Sequence, residues 1–356
     1  MELWTLTHSA PRNALRVAQR AEAAGWAGML VVDSQNLAAD SYVGLTWAAN
    51  GTSRIGLGTG VTNSVTRHPA VTASAALALQ DVSGGRMVLG IGRGDSALAH
   101  LGRSPARLAG FTRYVDVLQR YLRGERVPFD LIPLADEIAQ GVSELQLADH
   151  PSESRILWHP GGEKVPVEVA ATGPKVIAMA GRLADRVMFT LGAVPERIRW
   201  GIETARRARS DAGLDPDAIK FGAYVNLVCH PERATARLLV RGGLTTFARF
   251  SVMHGETSGP ASEAELAVLK SLHSGYDMKA HTRSDSQQAE LMSDEFVDRF
   301  AIVGNPEECI SRLAELRSLG LDKIAISGAS MGSDRDEARR AFKLLDEVIV
   351  PEFASA

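Results

Sequence analysis

The chain alternates short apolar runs with longer amphipathic ones. "ELWTL" is a strand candidate that stops at the polar "THSA". Pro11 then opens a segment in which Ala14, Leu15, Val17, Ala18 and Ala21 recur at helical spacing. "GMLVVDS" is apolar almost throughout, the pattern of a strand buried on both faces. "YVGLTWAAN" predicts a helix with Gly51 just past its end, and "IGLGTGV" a third strand. Residues 69–82 predict a helix stopped by "SGGR", and "MVLGIG" a fourth strand. "SPARLAGFTRYVDVLQRYLRGE" predicts an amphipathic helix with Ser104 as cap and Pro105 in its first position.

The alternation continues with "VPVEVAA", "RVMFTLG", "FGAYVNLVCH" and "DKIAISG" as strands, separated and followed by amphipathic stretches. Parallel neighbours need crossover helices. Eight strand–helix pairs in one chain of this length predict α/β architecture, a closed (β/α)8 TIM barrel in a single domain over residues 1–356. Two regions stand outside the count. Residues 130–160 fall after strand four and residues 245–300 before strand eight. Both read as insertions, the second containing a polar patch, "HTRSDSQQAE", that reads as a mobile loop.

Composition narrows the function without naming it. The 356 residues are 45% hydrophobic and 23% charged, with a net charge of −3, so there is no basic footprint for nucleic acid. Cys229 and Cys309 are too few for a disulfide framework or a metal cluster and read as buried, reduced thiols. The first thirty residues lack a signal-peptide pattern, and no apolar stretch reaches membrane-spanning length. A cytoplasmic protein with no membrane or nucleic-acid partner is expected.

In a (β/α)8 barrel the active site lies at the carboxyl ends of the strands. Those ends offer Thr7, His8 and Ser9; Asp33 to Asn36; Thr59 to Asn63; Gly90 to Ser96; Ala170 to Lys175; Thr190 to Ala193; Asn226 and His230; and Ser327 to Ser333. The set is rich in glycines and hydroxyls. It contains no paired carboxylates for hydrolysis, no metal-ligand spacing and no nucleophile elbow. Glycines let a backbone approach a large planar ligand closely, and helix starts offer N–H groups to a phosphate. Gly173, Pro174 and Lys175 have that form, as do many plain βα turns.

The stretch "GLGTGVTNSVTRHPAVTASAALALQDVSGGRMVLGIGRGDSALAHLG" resembles the luciferase-like monooxygenase superfamily, as do "AATGPKVIAMAGRLADRVMFTLG" and "FAIVGNPEECISRLAELRSLGLDKIAISG". The resemblance is greatest to its coenzyme F420-dependent branch, typified by methylene-tetrahydromethanopterin reductase. It covers the chain except the two insertions. It implies a flavin or deazaflavin at the strand ends, backed by a third-strand bulge with a cis peptide at Gly60–Val61. It further implies Asp33 and Ser34 near the ring, Thr62 and Asn63 at its polar edge, and Gly92, Gly94 and Asp95 lining the site. Gly173, Pro174 and Lys175, with Gly192 and Ala193, would hold the chain or phosphate. The family reductase carries a glutamate near the first-strand end and a histidine after the second-strand aspartate. Here the letters are Thr-His-Ser and "DSQN".

Asp33, His8 and Asp95 are the candidates for chemistry. Asp33 ends an apolar strand, where a buried charge needs a partner, and it reads as a site residue or a helix cap. Asp95 reads equally as a cap, and His8 as a proton donor or a solvated loop residue. Arg67 and His68 read as structure at a helix start, and His230 as ordinary loop. The resemblance implies an oxidoreductase exchanging hydride between F420 and a small organic substrate. An FMN-dependent monooxygenase fed by a separate reductase, or a barrel that has lost its cofactor, are the competing readings. A homodimer formed through barrel helices is implied as well, and no metal.

Overall fold

The computed structural model describes residues 1–354 apart from 160 and 254. Eight parallel strands close on themselves: β1 (Glu2–Thr7), β2 (Gly28–Val31), β3 (Gly56–Thr59), β4 (Met87–Gly92), β5 (Val167–Ala171), β6 (Arg186–Phe189), β7 (Lys220–Cys229) and β8 (Lys323–Ser327). β7 pairs with both β6 and β8, and β8 returns to β1 with Lys323 beside Glu2, so the ring has no open edge. The expected (β/α)8 barrel is the observed fold.

Each strand is followed by a helix: α1 (Pro11–Ala23), α2 (Ser41–Asn50), α3 (Pro69–Ser83), α4 (Leu108–Leu122), α5 (Pro174–Leu183), α6 (Pro195–Asp211), α7 (Arg233–Phe250) and α8 (Arg335–Leu344). Outward strand residues such as Met29, Val31, Leu57, Val167 and Val169 join Ala14, Ala18, Leu77 and Ile177 in one continuous core. Cys229 and Cys309 meet in that core as free thiols.

Four details differ from the sequence reading. Helix α4 starts at Leu108, so Ser104 and Pro105 lie before it. Arg93 holds that approach in place, donating Nε to the Ala106 carbonyl at 2.6 Å and accepting the Ala106 N–H at 2.9 Å. A short strand, Ile302–Gly304, pairs with Leu227–Cys229 at the upper end of β7. His230 is buried, with Nε2 2.7 Å from a Glu337 oxygen, and so joins β7 to α8 rather than serving as ordinary loop. The "HTRSDSQQAE" segment packs through Gln288, whose buried side chain accepts the Asp277 N–H at 2.6 Å.

The barrel floor is filled by one indole. A Cβ on Gly28 would lie 2.2 Å from the Trp4 ring, and one on Gly56 2.6 Å from it. Two glycines on neighbouring strands therefore make the space that Trp4 occupies. Burying a side chain of this size contributes about 4–6 kcal/mol. Beside it the Lys323 ammonium sits 3.3 Å from the Trp4 ring centroid and bonds both Glu168 oxygens, at 3.0 and 2.7 Å. Arg186 pairs with the same carboxylate. Burial opposes ionisation of Glu168, but the two cations prevail and hold its carboxyl below the usual range.

Candidate active site

At the end of β2 the carboxylate of Asp33 is 2% exposed. One oxygen accepts the Thr62 hydroxyl at 2.7 Å and the other the Gln35 amide at 2.8 Å. The charge is thus solvated by two neutral donors, which is what allows it to be buried. Helix α2 is capped instead by Asp40, which accepts the Tyr42 and Val43 N–H groups. Thr62 commits its hydroxyl to Asp33, so the pair binds the end of β2 to the continuation of β3.

That continuation, Thr62–Asn63, pairs with Ile91 and Gly92. It follows a cis peptide at Gly60–Val61, the position the resemblance implied. A Cβ on Gly60 would lie 2.7 Å from the Leu30 Cβ. The Val61 side chain turns toward β4, where Cβ atoms on Gly90 and Gly92 would lie 3.4 and 3.1 Å from it. Gly92 and Ala170 leave this wall of the mouth low. Asn63 accepts the Val65 and Thr66 N–H groups through Oδ1, both at 3.0 Å. Its amide is thereby oriented, and Nδ2 is a buried donor with no partner among the described residues. Ser64 Oγ and Asn226 Nδ2 are in the same condition.

Gly94 has φ +82°, and a Cβ there would press on Leu98 at 2.7 Å. The next residue, Asp95, forms an ion pair with Arg249. Ser96 lies within hydrogen-bond distance of Ser34, hydroxyl to hydroxyl at 3.3 Å. Asn36 donates to the His100 carbonyl at 3.1 Å, so the loops after β2 and β4 are joined twice.

Arg249 reaches Asp95 because α7 crosses the mouth. Midway along the helix the Gly243 N–H donates to Ser330 Oγ in the loop after β8, at 2.8 Å. Six residues later the chain is over the loop after β4. Between them Phe247 packs on the inward-facing cluster of Trp4, Leu30, Met188, Tyr224 and Ala325. The segment after α7 adds Tyr276 and His281, whose hydroxyl and Nδ1 are 2.7 Å apart. The Tyr276 hydroxyl is also 3.1 Å from Thr246 Oγ1, and the Arg249 guanidinium lies 4.5 Å from the Tyr276 ring centroid. Burial pushes the His281 imidazole down to about 4 and raises the Tyr276 phenol.

On the opposite rim, Gly173 precedes α5 without a side chain to cap it. Pro174 and Lys175 are exposed there, beside Ser258. Gly192 is different. It adopts φ +75° and a Cβ would meet the Phe300 ring at 2.7 Å. Ala193 is buried, donating to the Phe300 carbonyl at 2.8 Å and accepting from Arg312 at 2.6 Å. Gly192 and Ala193 therefore pack closely against Phe300 and Arg312. His8 is exposed at the end of β1, and its side chain makes no hydrogen bond among the described residues. Arg67 pairs with Asp40, and His68 accepts the Ala70 N–H at 3.2 Å, both at the start of α3.

Residues 2–323 match the family model of the luciferase-like monooxygenases. The chain belongs to that family. It is 28% identical over 340 residues to the 5,10-methylenetetrahydromethanopterin reductase of Methanolobus tindarius, covering 94% of each chain. It superposes on the coenzyme F420-dependent tetrahydromethanopterin reductase of Methanopyrus kandleri with a TM-score of 0.70 at 22% identity, over 99% of each chain. An F420-dependent secondary alcohol dehydrogenase, solved with an F420–acetone adduct, gives a TM-score of 0.70 at 17% identity, over 100% of this chain and 99% of that one. Monooxygenases are more distant neighbours, with TM-scores of 0.61 to 0.65.

Within this luciferase-like barrel, the structure gathers Asp33, Ser34, Val61, Thr62, Asn63, Gly92, Gly94 and Asp95 at one side of the mouth. Gly173, Pro174 and Lys175 lie at a helix start on its rim. Arg249, Tyr276 and His281 were not foreseen, because they reach the mouth only through the path of α7. Among the described residues no three His, Cys, Asp or Glu converge as metal ligands, and no helix is long and apolar enough to cross a membrane.

Proposed function

We propose that the chain is an oxidoreductase that transfers hydride between coenzyme F420 and a small organic substrate. The observation that carries this is the low wall where Val61 meets Gly92 and Ala170, followed two residues on by Asn63, whose Nδ2 is a buried donor with no partner among the described residues. A flat surface bordered by an oriented, unpaired donor suits the polar edge of a planar ring. The relatives' dependence on F420 points the same way. The uncapped start of α5 at Gly173, with Lys175 beside it, suits the phosphate of the cofactor's tail.

A bound deazaflavin supplies two-electron chemistry as hydride. The chain supplies the rest. Val61 and Gly60 would form the face that holds the ring, and Asn63 would orient its edge. Asp33 acts through Thr62, holding the residues after the cis peptide. Phe247 and the Asp95–Arg249 pair roof the mouth and exclude water.

We place the protein in the cytoplasm, since its two thiols are free and suit a reducing compartment. We also propose a homodimer. Val43 and Trp47 on α2 and Val71 on α3 are exposed at 49%, 45% and 52%, and apolar surface of this kind suits association.

Fluorescence titration with F420 and, separately, FMN tests the reading. Saturable F420 binding is expected. Tight FMN binding with no response to F420 overturns it.

A further inference from the structure

We infer that Tyr276 and His281 form a proton relay that binds the substrate's oxygen, and that the substrate is accordingly an uncharged carbonyl compound or the corresponding alcohol. This rests on the hydride-transfer reading above. The residues come from three separate elements. The loop after β4 supplies Asp95 and His100, α7 supplies Thr246 and Arg249, and the segment after α7 supplies Tyr276 and His281. They meet over the mouth, where Phe247 and Val61 are otherwise apolar.

The geometry gives each group a duty. The Tyr276 hydroxyl lies 2.7 Å from His281 Nδ1 and 3.1 Å from Thr246 Oγ1, so the phenol is held from both sides. The Arg249 guanidinium lies over the phenol ring, 4.5 Å from its centroid, and is fixed there by Asp95. His281 Nε2 carries no hydrogen bond among the described residues. Burial keeps the imidazole neutral. With the Tyr276 hydroxyl donating to Nδ1, the imidazole proton sits on Nε2, the end left open.

A neutral N–H is a donor suited to an uncharged carbonyl oxygen. In the reductive direction the carbonyl carbon takes up hydride from a reduced deazaflavin. The carbonyl π pair becomes a lone pair on oxygen, and that oxygen takes the Nε2 proton. The Tyr276 hydroxyl proton passes to Nδ1, so His281 stays neutral. Arg249 offsets the charge that passes to the phenolate; once the product leaves, water gives a proton to Nε2 and the Nδ1 proton returns to the phenolate, which restores the starting tautomer. The oxidative direction reverses each transfer.

The test uses the full chain and two readouts. Imidazole nitrogen–proton correlation spectra are recorded during titration with isobutyramide, an unreactive carbonyl compound, with and without F420. The expected result is an Nε2-protonated His281 signal that shifts saturably, is absent in His281→Ala, and shifts less in Tyr276→Phe. Reduction of cyclohexanone and of cyclohexanecarbaldehyde by reduced F420 is then followed. His281→Ala should lose about 100-fold in kcat/KM with F420 affinity unchanged, and Tyr276→Phe about tenfold. His281→Gln, which keeps a side-chain N–H donor, should hold KM near wild type while kcat falls. An unmoved His281 signal overturns the relay. So does undiminished turnover in His281→Ala, or a wild type that binds F420 and reduces neither carbonyl compound. F420 titration of the wild type reads the earlier proposal separately, because it is scored in the absence of any carbonyl compound.

Discussion

The Thr62 hydroxyl donates to the buried carboxylate of Asp33 at 2.7 Å, joining the end of β2 to the residue that follows the cis peptide by one. Removing the donor leaves a buried charge with one neutral partner, Gln35. Thr62→Val is expected to destabilise the barrel by about 1–3 kcal/mol in urea unfolding. It should also weaken F420 binding, because Asn63 is the next residue. Full affinity in a destabilised Thr62→Val would show that the pair serves folding alone.

The low wall of the mouth gives a sharper separation. A Cβ on Gly92 would meet only Val61 at 3.1 Å and Ala170 at 3.7 Å. Gly92→Val should therefore fold, with stability lowered by about 1–3 kcal/mol, while F420 binding is lost. The pair of measurements is circular dichroism and fluorescence titration. Retained binding would place the ring elsewhere.

On the floor, the buried carboxylate of Glu168 neutralises Lys323 and Arg186. Glu168→Leu leaves two buried cations together and is expected to cost about 3–5 kcal/mol. Adding Lys323→Met should recover part of that loss. A simple sum of the two single effects in a double-mutant cycle would argue against the triad acting as a unit.

His281 links the mouth to pH. Its imidazole is pushed down by burial to about 4 from an ordinary 6.5, while Asp95, Arg249, His100 and Tyr276 face it. Between those values the unfolded chain binds a proton that the fold refuses. The contribution is therefore fully present above about 6.5 and is lost as pH falls toward 4, by at most about 3 kcal/mol. Urea unfolding of wild type and His281→Gln across this range should show a flatter dependence in the variant. Equal slopes would assign the dependence to other groups.

The strands were legible because each is a short apolar run next to an amphipathic one. Asp33 and Asn63 were legible as polar residues ending such runs. The course of α7 was not, since nothing in "RATARLLVRGGLTTFARF" says that the helix lies over the mouth. Arg249, Tyr276 and His281 depend on that course and could not be read locally. Ile302–Gly304 is too short for a periodic signal and exists only because β7 runs past its neighbours. Ser104 and Pro105 look like a helix start, but Arg93 holds Ala106 in another conformation. Gly192 and Ala193 are letters that suit a phosphate cradle, and nothing local shows that they also pack against Phe300 and Arg312.

Trp4 seated in the space left by Gly28 and Gly56, with Leu30, Met188, Tyr224 and Ala325 packed about it, fills the barrel interior and leaves ligands a single approach, from the strand ends. Whatever stacks inside must enter through the same opening under α7, one layer after another. Ligands layered on such a floor leave in the reverse of the sequence in which they arrived. Steady-state kinetics should then be of the ordered kind, with the deeper ligand binding first and departing last.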